Sequence, residues 1–536
     1  MIQMMVSPPA ASPSSISPTS SSQLGKRHGL SRNAQDSGAD YGYGHGHDHG
    51  HDHDPAHSGK PSSSSSSGSR PKRAQVSRAC ARCKNLRRAC SEYRPCKRCV
   101  DAGLADHCLG PPGPVALAWV SDGPQAFAHV SREAIQRIAD LLPARVMDYC
   151  VDRFFARLNP TIPILTPEYV AHLKAVAGPS EPGMEAHCLL AALCALVLLQ
   201  VEEPESLWQR GPIPEKNALH GRALFDEALA AHRNLTRRSN PSFEQCLLTF
   251  FLYACHSALF HHSQAFLFLR EATTLFLLLR LSTDAAPRGL ADRLFWVLLV
   301  SERSHGIRYR RPVTLQITAE SPAMDDDDPA LSGFWSLAAL FSPLDTSFIA
   351  LLNKEKVATP PSDAALTHVE AAVNAALRLS TSDLKDTQKA NLRVTQLWLR
   401  IILWQLRLRF GYLAEESARP SMTYRYPLEV ARDLVLSTRD LPIDSIRVHG
   451  VGLTEKLFDI ASAAVDVLAR VPIMPSGPHG GGGGGGGPGE DLGYMRRLIT
   501  RLPGGNSIYD DLLDKHIQQA VPGMAIVGQG PLRQPI

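Results

Sequence analysis

An all-α fold is what this sequence predicts, and three observations carry it. From roughly Ser131 to Pro472, apolar residues recur at steps of three and four, with few alternating stretches. Pro, Gly and Ser punctuate that pattern between the helical segments. With 536 residues and 44% hydrophobic content, the chain can bury one large core or two medium ones.

The clearest helices, in order, are Arg145 to Leu158, Met184 to Val201, Glu215 to His232, Phe243 to Ala258, Gln264 to Leu281, Ala291 to Ile307, Ala364 to Leu379, Thr387 to Tyr412 and Leu453 to Ala469. No fixed-period repeat runs through them. The longest apolar run, Cys188 to Leu199, is about a dozen residues. A bilayer needs roughly 20, so the run reads as a buried helix and no membrane partner is expected. Cys150, Cys188, Cys194, Cys246 and Cys255 fall on apolar helical faces and read as core residues. His256, His261 and His262 read as a helix-to-helix turn rather than a metal site. The acidic run Asp325 to Asp328 reads as a cap or a solvated loop.

The flanks differ in composition. Residues 1–75 are rich in Ser, Pro, Gly and His and poor in apolar groups, so they cannot offset the entropy of ordering and read as a disordered low-complexity segment. Within it, His45 to His57 offers only opportunistic metal affinity. No basic region followed by an apolar core opens the chain, which predicts an intracellular protein with reduced thiols. Lys26 with Arg27, and Pro71, Lys72 and Arg73 flanked by Arg70 and Arg78, are candidate nuclear import signals. A GPPGP linker follows Leu109 and leads into a linker segment at 111–130. The helical domain spans 131–472, a Gly-rich tether with Gly480 to Gly487 spans 473–490, and a C-terminal segment spans 491–536. In that last segment, Ser507 to His516 mixes acid with Ile508, Tyr509, Leu512 and Leu513, and reads as a docked helix in preference to an activation segment.

Chemistry concentrates in 76–110. Six of the eleven cysteines stand at Cys80, Cys83, Cys90, Cys96, Cys99 and Cys108, in two CxxC pairs and two single positions. A two-residue gap lets both thiolates face one ion at a Zn–S distance of ~2.3 Å. Six thiolates are too many for one tetrahedral zinc and too few for two separate four-thiolate sites, whereas two ions sharing two sulfurs use all six. Pro95 to Cys99 also matches half of a zinc deaminase signature, but no His-x-Glu pair precedes it. With every ligand a cysteine, no coordination position remains to activate water, so the metal is structural: it folds about thirty residues that lack a core. The stretch Arg70 to Cys108 carries a net +8, while the whole chain carries +4. One cationic module therefore sits on a mildly acidic body, which suits a polyanion such as double-stranded DNA.

On this cysteine spacing, Arg78 to Cys108 resembles the fungal six-cysteine binuclear zinc cluster transcription factors. Three further stretches resemble that family's helical regulatory domain, the middle homology region: Phe154 to Leu165, Ser242 to Leu279 and Arg293 to Leu315. The resemblance implies two zinc ions, with Cys80 and Cys96 bridging and the other four cysteines terminal. It implies that each CxxC opens a short helix and that the first helix enters the major groove at a CGG-type triplet. Arg87 then takes the guanine-reading position, usually Lys in the family; an arginine pair to guanine is worth roughly 1–3 kcal/mol of discrimination. Lys84 meets phosphate in the family's pattern, and Arg88 is the further candidate phosphate contact. Leu86 and Ala89 stand where basic residues are common, and Pro95 matches the loop proline. No sustained heptads follow the cluster, so a dimer is admitted but no coiled coil is evident.

The expected function is therefore a nuclear, zinc-dependent, sequence-specific regulator of RNA polymerase II genes, with an effector or coactivator bound at its helical domain. A rival is a helical protein-interaction scaffold or metabolite sensor in which the zinc cluster is only a staple. An enzyme is not expected: no phosphate loop, nucleophile elbow or paired metal-binding carboxylates are found.

Overall fold

The structure is a computed structural model. It describes Cys80, Cys83, Leu86, Arg98, Cys99 and Ala102, then 133–521 apart from 134, 179–180, 202–216, 236–240, 280–287, 325–327, 356–360, 378–383 and 472–486. The segment 1–75, its histidine tract and basic pieces, the linker 111–130 and the glycines before Gly487 lie outside the described residues. The chain divides into two units, Met1–Leu109 and Gly110–Ile536.

The second unit is helical throughout, with one isolated bridge between Ala414 and Thr423 among the described residues. After helical residues at 135–141 come α1 (Ala144–Arg153), α2 (Pro167–Val176), α3 (Glu181–Gln200), α4 (Asn217–Asn234), α5 (Phe243–Ala258), α6 (His262–Leu278) and α7 (Arg288–Tyr309). Then follow α8 (Ser332–Phe341), α9 (Thr346–Leu352), α10 (Asp363–Ala375), α11 (Asp386–Phe410), α12 (Tyr426–Thr438), α13 (Ile443–Arg447), α14 (Val451–Arg470), α15 (Pro488–Thr500) and α16 (Asp510–Ala520). The all-α expectation holds, and all nine expected helices are present.

Local sequence explains the ends. Ser242 and Gln245 form a reciprocal capping box at α5: the Gln245 amide donates to Ser242 Oγ at 3.0 Å, and the Ser242 amide donates to Gln245 Oε1. Thr166, Asp345 and Ser362 cap α2, α9 and α10. At the end of α11, Gly411 turns the chain at φ +74°. The Arg145 to Leu158 expectation is met in two parts, because the last turn, Phe154–Leu158, widens to a π-helix. Helices α2, α8, α9, α12, α13 and α15 were not among those read from periodicity. They are short or begin with Pro at the first helical position, as at Pro167 and Pro488, where a missing N–H costs nothing.

Two layers of packing meet in one contiguous core. Helix α3 lies against α1, α2, α4 and α5, and every residue from Cys188 to Leu198 is at most 2% exposed. Its window Gly183–Gln200 is long and apolar enough to cross a membrane, but 83% of it is buried inside this fold. That burial accounts for the composition: each enclosed Leu contributes about 1.5–3 kcal/mol. In the second layer α11 packs on α8, α10, α12, α13 and α14, and α14 also touches α5, α15 and α16. Arg407 of α11 is fully buried, held by Glu370 at 2.9 Å and Asp363 at 3.3 Å. The expected C-terminal helix is formed as α16, with Leu513 and Ile517 buried.

Candidate metal centre and nucleic-acid interface

In the first unit the structure brings together Cys80, Cys83 and Cys99, whose sulfurs all lie within 4.8 Å of one another. Each is fully buried, and none forms a disulfide. Cys80 Sγ lies 3.9 Å from Cys99 Sγ and accepts the Cys83 amide at 3.4 Å. The first distance is far beyond the ~2.05 Å of a disulfide. It matches the ~3.8 Å edge of a tetrahedron with Zn–S of ~2.3 Å. The amide bond to sulfur favours the thiolate, since an N–H stabilises the charged form. The residues present therefore fit zinc. Among the described residues no other group of His, Cys, Asp and Glu brings three ligand atoms this close.

Cys83 and Cys99 have helical backbone, one from each CxxC pair. The three sulfurs are mutual neighbours. Sequence spacing alone gives Cys80 and Cys83 as neighbours, but that Cys99, nineteen residues away, packs on Cys80 is information from the fold. Arg98 and Leu86 are exposed, in contrast to the buried sulfurs. Cys90, Cys96 and Cys108, and the candidate DNA contacts Lys84, Arg87 and Arg88, lie outside the described residues.

The other five cysteines, Cys150, Cys188, Cys194, Cys246 and Cys255, are all fully buried. Burial pushes the Cys188 and Cys246 thiols up to about 12 and raises Cys194 and Cys255 as well. A thiol at about 12 is thiolate in roughly one molecule in ten thousand at pH 8. Iodoacetamide at pH 8 should therefore leave Cys188, Cys194, Cys246 and Cys255 unmodified in the native chain, and full burial should shield Cys150 as well. Chelator treatment should open the six cysteines of 80–108 to labelling, read by peptide mass spectrometry. Labelling of Cys194 or Cys255 at the rate of the chelated stretch would overturn the core assignment. The three histidines sit at the α5–α6 turn as expected: His256 is buried against Phe225, with His261 Nδ1 3.3 Å from its own Nδ1, while His262 opens α6.

A second site was not read residue by residue from the sequence. A cavity of about 190 Å³ opens among the π-turn after α1, α3, α5, α7, α8, α11 and the start of α14. Its charged lining residues, Arg157 and Lys456, are single cations on helical faces and carry no pattern of their own.

The described residues thus set a buried cysteine trio in the first unit and an all-helical fold in the second. No family model matches the chain. Among known proteins it is similar to a probable sucrose utilization protein of Candida albicans, 23% identical over 362 residues, 64% of this chain and 71% of that one. A maltose fermentation regulatory protein of Saccharomyces cerevisiae is 21% identical over 423 residues, covering 74% of this chain and 85% of that protein. A transcription activator of gluconeogenesis from Phaeosphaeria nodorum is 45% identical over 40 residues, 8% of this chain and 6% of that protein.

Proposed function

We propose that the chain is a zinc-dependent, sequence-specific DNA-binding regulator of RNA polymerase II genes that acts in the nucleus and is not an enzyme. Residues 76–110 are assigned as the reader, 131–472 as the regulatory domain, and 473–490 as a tether to the C-terminal segment. The observation that carries this reading is the buried sulfur trio set in the segment of net +8 charge. Two zinc ions use all six cysteines, Cys80, Cys83, Cys90, Cys96, Cys99 and Cys108. The bridging role of Cys80 and Cys96 is carried over from the family resemblance, and the mutual closeness of the Cys80, Cys83 and Cys99 sulfurs is compatible with it. Arg87 reads base edges, while Lys84 and Arg88 contact phosphate. The sucrose, maltose and gluconeogenesis names of the relatives support a reading in which the regulated genes serve carbon-source use. The helical domain carries the effector or coactivator site, and any dimer forms without a coiled coil.

The test is binding of the zinc-loaded chain to duplexes with and without CGG at fixed salt. Arg87→Ala should lose about 1–3 kcal/mol on the CGG duplex and little on the scrambled one. Lys84→Ala should weaken both alike and lower the salt slope by about one. Equal losses for Arg87→Ala on the two duplexes would reduce it to a phosphate contact. Affinity without salt dependence would return the scaffold reading.

A further inference from the structure

The cavity in the helical unit has an unusual charge balance. Arg157 and Lys456 line it, and no Asp or Glu does among the described residues. Arg157 makes no hydrogen bond or ion pair with them. Lys456 donates to Thr395 Oγ1 at 2.9 Å, and Thr395 Oγ1 in turn donates to Asn391 Oδ1 at 3.2 Å. The ammonium also lies 5.3 Å from the Trp398 ring centroid and 5.7 Å from that of Phe341. Among the described residues no carboxylate forms an ion pair with it. The adjacent Glu455 is committed elsewhere, to Tyr309, Tyr509 and Arg308. Burial lowers Lys456 to about 8 and pushes His449, also on the wall, down to about 4, so at neutral pH the histidine adds no charge.

A helix end adds to this. The first turn of α14, Val451, Gly452 and Leu453, lines the same cavity. Its N-cap is Gly450, which has no side chain to satisfy the leading amides. The Val451 and Gly452 N–H groups have no partner among the described residues. Gly452 is exposed, and a Cβ there would meet nothing within 4 Å. Twenty residues of aligned peptide dipole end here, which favours negative charge at this point. Ser257, Ser301 and Ser304 add hydroxyls to the wall. The volume of about 190 Å³ is roughly that of six waters, which suits a compact metabolite.

We propose that this cavity is an effector site for a compact hydroxylated organic anion, a phosphate ester or hydroxycarboxylate, held between Arg157, Lys456 and the uncapped start of α14. The inference rests on reading the helical unit as regulatory, and it names the ligand class.

Isothermal titration of the full zinc-loaded chain with glycerol 3-phosphate, citrate, inorganic phosphate, glycerol and glucose tests it. One of the two organic anions should bind at least tenfold tighter than glycerol or glucose, and which one wins separates phosphate from carboxylate. Lys456→Met should lose at least tenfold in that affinity. Gly452→Asp should do the same by placing its own carboxylate at the amides, with an unchanged or raised thermal midpoint showing that the fold is intact. A neutral sugar that binds while the anions do not, and binds Lys456→Met equally well, overturns the anion assignment and leaves the regulatory reading standing. Silence from every probe, with both variants unchanged in a reporter-gene assay, removes the regulatory role of this cavity as well.

Discussion

Cys80→Ser is expected to abolish specific duplex binding, a loss of at least a thousand-fold, while the helical unit melts as before. The loss is the gap between specific and non-specific affinity, about 10³ or more at physiological salt. The reason lies in the bridging role proposed for Cys80, whose sulfur clusters with those of Cys83 and Cys99. On the proposed ligand set its removal unseats both ions. In a module without a hydrophobic core, metal-binding free energy is folding free energy. Serine keeps the shape but gives a far weaker zinc ligand. Zinc per chain by elemental analysis should fall from two towards none in Cys80→Ser, and by about one in Cys108→Ser, where a terminal ligand is lost. The helical unit shares none of these ligands, so its helical circular dichroism and midpoint should match the parent. A Cys80→Ser chain that retains two zincs and its CGG affinity would sink the bridging assignment.

Those two units were legible in the sequence to different depths. The cysteine array could be read because metal chemistry constrains spacing directly: a two-residue gap lets both thiolates of a CxxC pair reach one ion. Contact between Cys80 and Cys99 could not, since it depends on how two separate turns fold onto each other. In the helical unit, long periodic segments such as Thr387 to Tyr412 announced themselves, and α11 matches within two residues. Short helices did not. The ten residues of α8 are almost wholly apolar, SGFWSLAALF, and a segment buried on most sides has no polar face to reveal its period. The cavity was least legible of all. Arg157 and Lys456 lie about 300 residues apart, on helices whose other faces are core, and only the tertiary fold places them on one wall.

Glu455 illustrates the same dependence on tertiary placement, and its removal should carry the largest stability effect in the helical unit. It is 5% exposed on α14, where its carboxylate accepts from the Tyr309 hydroxyl of α7 at 2.7 Å and from the Tyr509 hydroxyl, just before α16, also at 2.7 Å. Arg308 Nε lies 3.8 Å from it and pairs more closely with Asp459. Burial works against the Arg308 charge, yet Asp459 and Glu455 outweigh it and hold the guanidinium above its ordinary value. Burial and the Glu455 charge raise both tyrosines, keeping them protonated donors. One carboxylate thus ties α7, α14 and the approach to α16. Glu455→Ala leaves the buried Tyr509 hydroxyl without its acceptor, leaves Tyr309 with only His262 Nδ1 at 2.7 Å, and undercompensates one cation, a loss of about 3–5 kcal/mol for breaking a buried charged network. Tyr509→Phe deletes one donor and should cost about 1–2 kcal/mol. Because both act through one carboxylate, the double variant should cost less than the two combined. The measurement is urea unfolding followed by helical circular dichroism. If Glu455→Ala and Tyr509→Phe cost the same, the carboxylate serves Tyr509 alone. If their costs are simply additive, Tyr509 docks the C-terminal helix without it.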